Sequence, residues 1–159
     1  MTRRARSDGE ETRPPGGPAV YFIDECLGRH RVAEGLRRVL GVNEVIETVP
    51  QGTPDEEWLV RAGEGEWICF SKDRRMRHRP NELAAIKRAK IGLITLGEAN
   101  AEAHSALTAR SIPLIRRARC SLKRPFVARL EPSGELRVLC NDGEMLKSPR
   151  LIKPKPSER

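Results

Sequence analysis

Between residues 19 and 140, short apolar runs alternate with stretches of helical periodicity. Ala19-Val20-Tyr21-Phe22-Ile23 and Trp67-Ile68-Cys69-Phe70 are continuous, the pattern of strands covered on both faces, and Ile91 to Leu96 reads the same way. A shorter strand is predicted at Val45 to Thr48. In the first interval Val32, Leu36, Val39 and Leu40 share one helical face, with Gly41 as a natural stop. Thr53-Pro54-Asp55-Glu56 predicts an N-cap, an N1 proline and a capping-box glutamate for a helix that turns Trp58, Leu59 and Ala62 inward and ends at Gly63 and Gly65. Helices are also predicted at Pro80 to Lys90, from an Asn100 cap through Leu107, and from Ser111, where Ile112, Ile115, Ala118 and Leu122 form one side and Arg116, Arg117, Arg119 and Lys123 the others. Phe126 to Leu130 and Leu136 to Cys140, joined through Pro132-Ser133-Gly134, predict an edge hairpin. Alternating strands and helices predict an α/β fold around a parallel sheet.

The flanks differ. Residues 1–18 are rich in Arg, Pro and Gly with no apolar period, and 141–159 return to Lys, Pro and Ser with only Met145, Leu146, Leu151 and Ile152 as apolar anchors. Neither offers enough burial to offset the entropy of ordering, so both are expected as disordered basic tails on a single domain, 19–140. The 30 Lys and Arg against 22 Asp and Glu leave a net charge of +8. Because the arginines cluster, a polyanionic partner, nucleic acid in particular, is favoured over a merely solubilising surface. Cys26, Cys69, Cys120 and Cys140 have neither C-x-x-C spacing nor histidine companions, which argues for buried free thiols over a zinc site. With no apolar stretch that reads as a signal or a membrane span, the expected compartment is a reducing cytoplasm.

Three acids stand where an open sheet would gather them: Asp24 closes the first apolar run, Asp55 opens a helix, and Asp73 follows Phe70 by three residues. Alone, Asp55 with Glu56 reads as complementing a helix dipole, worth roughly 0.3 to 1 kcal/mol each. Asp73 reads equally well as an ion-pair partner. Asp24 is different, because the loop Glu25 to Gly28 needs no carboxylate for its geometry. Two carboxylates ~4 Å apart repel by about 4 kcal/mol at a typical effective dielectric, so a cation must offset them. The residues alone admit both a divalent metal and a structural network with Arg74 or Arg29. Arg74, Arg75, Arg77, His78 and Arg79 follow Asp73 directly and would draw phosphates to the acids; the plainer reading is a loop that neutralises them. Aromatics are not interleaved with this run, so recognition would rest on backbone and shape. No histidine pairs with a Ser or Cys nucleophile, and His30 and His104 are expected on helix surfaces.

Phe22-Ile23-Asp24-Glu25-Cys26-Leu27-Gly28, Thr53-Pro54-Asp55-Glu56-Glu57-Trp58-Leu59 and Ser71-Lys72-Asp73-Arg74-Arg75, in this order and spacing, resemble the PIN-like domain family, particularly its compact branch related to VapC-type toxins, over residues 19–140. The resemblance implies a three-layer α/β/α fold with a central, mostly parallel sheet, here with the C-terminal edge hairpin. It implies a metal-dependent endoribonuclease using Mg2+ or Mn2+, with Asp24, Asp55 and Asp73 as catalytic metal ligands and Ser71 as the hydroxyl residue two positions before the last acid. Arg74, Arg75, Arg77 and Arg79 would bind the nucleic acid, and products would carry a 5′-phosphate and a 3′-hydroxyl. It further implies a small antitoxin partner and a homodimer, built on the hairpin edge or the apolar side of the Ile112 helix. Many family members carry a fourth acid shortly after the third, where this chain has Arg74-Arg75-Met76-Arg77-His78, so Glu25 and Glu56 are the candidates for the missing metal ligand, with a solvent-facing position the equal alternative for both. The alternative is therefore a catalytically inactive PIN-like module that binds RNA or protein. A phosphoacceptor receiver domain would also use Asp24-Glu25, Asp73 and Thr95, but the strand Phe126 to Leu130 ends without the required lysine.

Overall fold

Continuous apolar runs become central strands because each alternate residue meets a different helical layer. In the computed structural model, which describes residues 19–27, 29–72 and 80–158, the strands are β1 (Ala19–Ile23), β2 (Glu44–Glu47), β3 (Ile68–Lys72), β4 (Gly92–Leu96), β5 (Phe126–Leu130), β6 (Leu136–Asn141) and β7 (Glu144–Ile152). They form one sheet in the order β2-β1-β3-β4-β5-β6-β7, parallel through β5 and antiparallel thereafter. The helices among the described residues are α1 (Arg29–Arg37), α2 (Asp55–Glu64), α3 (Pro80–Ala89), α4 (Ala101–Arg110) and α5 (Ile112–Ser121).

The alternation of the strands is read out in two cores. Tyr21, Ile23, Phe70, Ile94, Leu96 and Ala128 face α1, α4 and α5, packing on Val32, Leu36, Leu107 and Ile115. Phe22, Cys69, Leu93 and Val127 face α2 and α3, packing on Trp58, Leu59, Ala62 and Ile86. This is the three-layer α/β/α architecture expected. On the second face Phe22 stacks between Trp58 and Trp67, with ring centroids 4.6 and 5.7 Å away. Gly63 brings α2 against the end of α3: a Cβ there would collide with the Ala89 carbonyl oxygen.

Several expectations are corrected. The Phe126–Cys140 hairpin is not the sheet edge, because the segment beyond Asn141, expected as a disordered tail, supplies the outer strand β7 and a 3-10 turn at Pro156–Glu158. Arg117 fixes that turn through Glu158, Nη2 to Oε1 2.8 Å, and through the Lys153 carbonyl, 2.7 Å. The apolar side of the Ile112 helix is buried in the first core. Both surfaces offered for a dimer are thus used inside the fold. Thr53 does not cap α2; its hydroxyl donates to the Pro50 carbonyl at 2.6 Å, and Pro54, extended at φ −60° and ψ 146°, precedes the helix instead. Val39 lies beyond the end of α1 and is 42% exposed. His104 is buried, and its Nε2 donates to the Gly97 carbonyl at 2.8 Å, tying α4 to the end of β4. Residues 1–18 lie outside the described residues.

Candidate active site

The chain leaves β1 toward β2 on one side and returns to β3 on the other, so the loops at the carboxyl ends of β1 and β3 diverge. Open parallel sheets bind ligands in the crevice this creates. Asp24 sits there. Its backbone N–H donates to the Phe70 carbonyl at 2.9 Å, extending the β1–β3 ladder by one step before the chain turns into the 3-10 segment Glu25–Leu27. With Ile23 paired to Phe70, Ser71 falls beside Asp24, and the buried Ser71 hydroxyl donates to Asp24 Oδ2 at 2.8 Å. The first-strand acid and the hydroxyl residue of β3 are thus joined directly, a contact the sequence did not predict.

Asp24 and Ser71 line a cavity of about 230 Å³ together with Asp55 and Glu56 from α2 and Asn81 and Glu82 from α3; Leu59, Ile86 and Leu93 form part of its apolar wall. Asp55, the first residue of α2, accepts a 2.9 Å hydrogen bond at Oδ1 from the Trp58 indole N–H, one helical turn on. The Trp58 ring is itself held by Phe22, so the core fixes this acid through the aromatic stack. Both helices begin at the cavity, and their N-terminal N–H groups supply partial positive charge where the carboxylates gather.

Of the residues singled out in the sequence, Asp24, Asp55, Glu56 and Ser71 are brought together, while Glu25 is exposed and does not line the cavity. Asp73 and the run Arg74, Arg75, Arg77, His78 and Arg79 lie outside the described residues; β3 ends at Lys72, whose ammonium pairs with Glu98 at 2.9 Å. Among the described residues no three Asp, Glu, His or Cys side chains are grouped closely enough to hold a metal ion. Sequence reasoning missed Asn81 and Glu82. The signal was present: Pro80-Asn81-Glu82 repeats the form of Pro54-Asp55-Glu56 at the start of the neighbouring helix.

The opposite end of the sheet carries a contrasting carboxylate. Glu44, at the start of β2, receives hydrogen bonds from Tyr21 Oη (2.9 Å), Gly41 N (2.8 Å), Arg116 Nε (2.9 Å) and Arg116 Nη2 (2.6 Å). The Arg116 guanidinium is the main cause that lowers the Glu44 carboxyl to about 2, and burial, followed by the bond to Glu44, pushes the Tyr21 phenol well up. No helix among the described residues is long and apolar enough to cross a membrane.

The family model of the PIN like domain matches residues 19–98, the stretch that contains β1 to β4 and every described side chain of this cavity. No curated protein and no solved structure matches the chain.

Proposed function

Because the chain belongs to the PIN-like domain family, we propose that it is a metal-dependent endoribonuclease whose active site is the acidic cavity at the β1–β3 crevice. The observation that carries this reading is Asp24 at the carboxyl end of β1, held by Ser71 and opening into the same cavity as Asp55, Glu56 and Glu82. The polar donors of that cavity are carboxylate, amide and hydroxyl oxygens, with neither thiol nor imidazole among the described lining residues. Such hard donors suit Mg2+ or Mn2+ rather than zinc. Asp24, Asp55 and Asp73 would hold the ion, and Glu56 and Glu82 line the same cavity. A divalent ion so bound lowers the pKa of a water and polarises a phosphate oxygen.

The protein's own contribution is positioning. Ser71 limits Asp24 to one orientation, and the Trp58 indole does the same for Asp55. The N-termini of α2 and α3 offset the carboxylate charge and favour an incoming phosphate. The apolar wall of Leu59, Ile86 and Leu93 lowers the local dielectric on one side of the site and strengthens the electrostatic contacts there. Arg74, Arg75, Arg77 and Arg79 would take the neighbouring phosphates. By the toxin resemblance, a small antitoxin would regulate the enzyme by covering this cavity. The free cysteines, Cys69 and Cys140 among them buried, suit a reducing cytoplasm.

A second reading, an inactive module that binds RNA or protein, is favoured by the basic run that stands where a fourth acid is expected. Cleavage of end-labelled structured and single-stranded RNA with Mn2+, Mg2+ or chelator, by wild type and Asp24→Asn, separates the two. Cutting that needs metal and disappears in the folded variant is expected. Binding without cutting by wild type, or cutting that survives the substitution, would leave the inactive module.

A further inference from the structure

The sheet continues for three strands beyond the stretch matched by the family model. On the α1, α4 and α5 side this extension is sealed by Phe126, Ala128, Leu130, Leu136, Val138 and Ile152. On the α2 and α3 side Val127 and Cys140 are buried, and the face opens only beyond them, toward the carboxyl end of β5. The register runs Ser71 to Thr95 to Arg129 to Arg137 to Leu151, one residue from each strand, all on this second face. Thr95 is buried, but the side chains of Arg129 and Arg137 are each 40% exposed and Leu151 is 41% exposed.

Two features of this row bear on a ligand. Arg129 and Arg137 are direct cross-strand partners, and like charges placed opposite each other destabilise a sheet. Both guanidiniums reach the same carboxylate, Glu131, at 3.6 and 3.1 Å, which tethers them side by side and does not separate them. The row also has a direction. Ser71 at its inner end is the residue that holds Asp24, and strand spacing of roughly 4.8 Å puts the Arg129 backbone about 10 Å and the Arg137 backbone about 14 Å from it. Arg129 leans back toward the end of β4, where its Nη2 lies beside Gly97.

We propose that the open face of β5, β6 and β7 is a track for the RNA backbone, with Arg129 and Arg137 holding phosphates a few nucleotides away from the bond at the Asp24 cavity. Paired, half-exposed guanidiniums in a line that ends at an acidic site match a phosphodiester chain in charge and in extent. The exposed Leu151 at the outer end offers apolar contact to a sugar or base. The assignment rests on the nuclease reading for where the track leads, while the track itself is a matter of binding.

The test is fluorescence anisotropy of a labelled single-stranded RNA of about a dozen nucleotides, a length within the range single-strand sites cover, titrated at several salt concentrations. The proteins are Asp24→Asn, which removes cutting, and the same background with Arg129→Gln and Arg137→Gln together, with Arg137→Gln alone, and with Arg31→Gln. Arg31 is an exposed α1 residue that controls for net charge. At about 0.7 per released counterion on a single strand, the double substitution should flatten the log–log salt slope by roughly 1.4 and Arg137→Gln by roughly 0.7. Arg31→Gln should leave it unchanged. If the double variant fails to fold, the single substitution decides. An unchanged slope, an equal change with Arg31→Gln, or no RNA binding at all overturns the track. Metal-dependent cutting by wild type with an unchanged slope removes the track and leaves the nuclease; a flattened slope with no cutting does the reverse.

Discussion

The two ends of the β1–β2–β3 region treat carboxylates in opposite ways. At the amino-terminal end Glu44 is saturated: a phenol, a backbone amide and a bidentate guanidinium occupy both its oxygens. At the carboxyl-terminal end Asp24 receives one side-chain hydrogen bond among the described residues, from Ser71, and opens into a cavity with other acids. A carboxylate whose lone pairs are already occupied contributes to stability and has nothing left to offer a ligand. One that is oriented but unsaturated costs stability and retains acceptor capacity. On the proposed function, the difference separates an end that holds the fold from an end that does chemistry, and substitution can test it at both ends.

The largest effect is expected at Asp24. Asp24→Asn keeps shape and the Ser71 contact but removes the charge, and should lower metal-dependent RNA cleavage by more than the roughly 100-fold that bounds loss of an outer-shell partner. Its melting temperature should stay at or above that of wild type, since a repelling charge is gone. A large loss of stability would place Asp24 with Glu44 as a structural acid. Ser71→Ala comes next: it frees the Asp24 carboxylate without removing it, so activity should fall by roughly 10- to 100-fold, partly recovered at high metal concentration. Cleavage assays against Mn2+ concentration separate the two variants.

Glu44→Gln should invert the pattern. Losing charge-assisted hydrogen bonds of this kind costs about 1 to 3 kcal/mol, toward the lower end here because Arg116 is 43% exposed, and cleavage per folded molecule should not change. The pH dependence carries a definite sign. Glu44 titrates near 2 in the folded protein against 4.5 ordinarily, so its contribution is complete above about pH 4.5 and is lost as pH falls toward 2. Glu158, lowered by Arg117, acts in the same direction. Denaturation midpoints followed from pH 6 to 2 should therefore fall less steeply in Glu44→Gln than in wild type.

Much of this was legible in the sequence because burial writes itself into apolar patterns. The continuous runs gave β1, β3 and β4, their ends gave Asp24, and the proline-acid opening of α2 gave Asp55. What escaped was held by other forces. The strand β7 is exposed along nearly its whole length, EMLKSPRLI, with only Ile152 buried. Its place is fixed by backbone pairing to β6, which leaves no hydrophobic alternation to read. His104 looked like a surface residue because its burial depends on a single carbonyl, that of Gly97, reached only once α4 docks. Glu82 was hidden because a glutamate in a helix's first turn is ordinary; only the convergence of two helix starts on one crevice gives it a second meaning.

The smallest expected effect tests how far the aromatic core reaches into the site. Trp58 does two things: its ring stacks on Phe22 at 4.6 Å, and its N–H holds Asp55 at 2.9 Å. Trp58→Phe retains an aromatic ring and deletes the N–H. If Asp55 serves the cavity, its freed carboxylate should cost activity by an amount comparable to one hydrogen bond, about 0.5 to 1.5 kcal/mol or roughly 2- to 13-fold in kcat/KM. Asp55→Asn should cost more, and the double variant no more than Asp55→Asn alone, because the indole acts only through the acid. Should Trp58→Phe instead lower the melting temperature while Asp55→Asn leaves cleavage intact, Asp55 would belong with Glu44, as a carboxylate that completes a helix start and leaves the chemistry to Asp24 and Asp73.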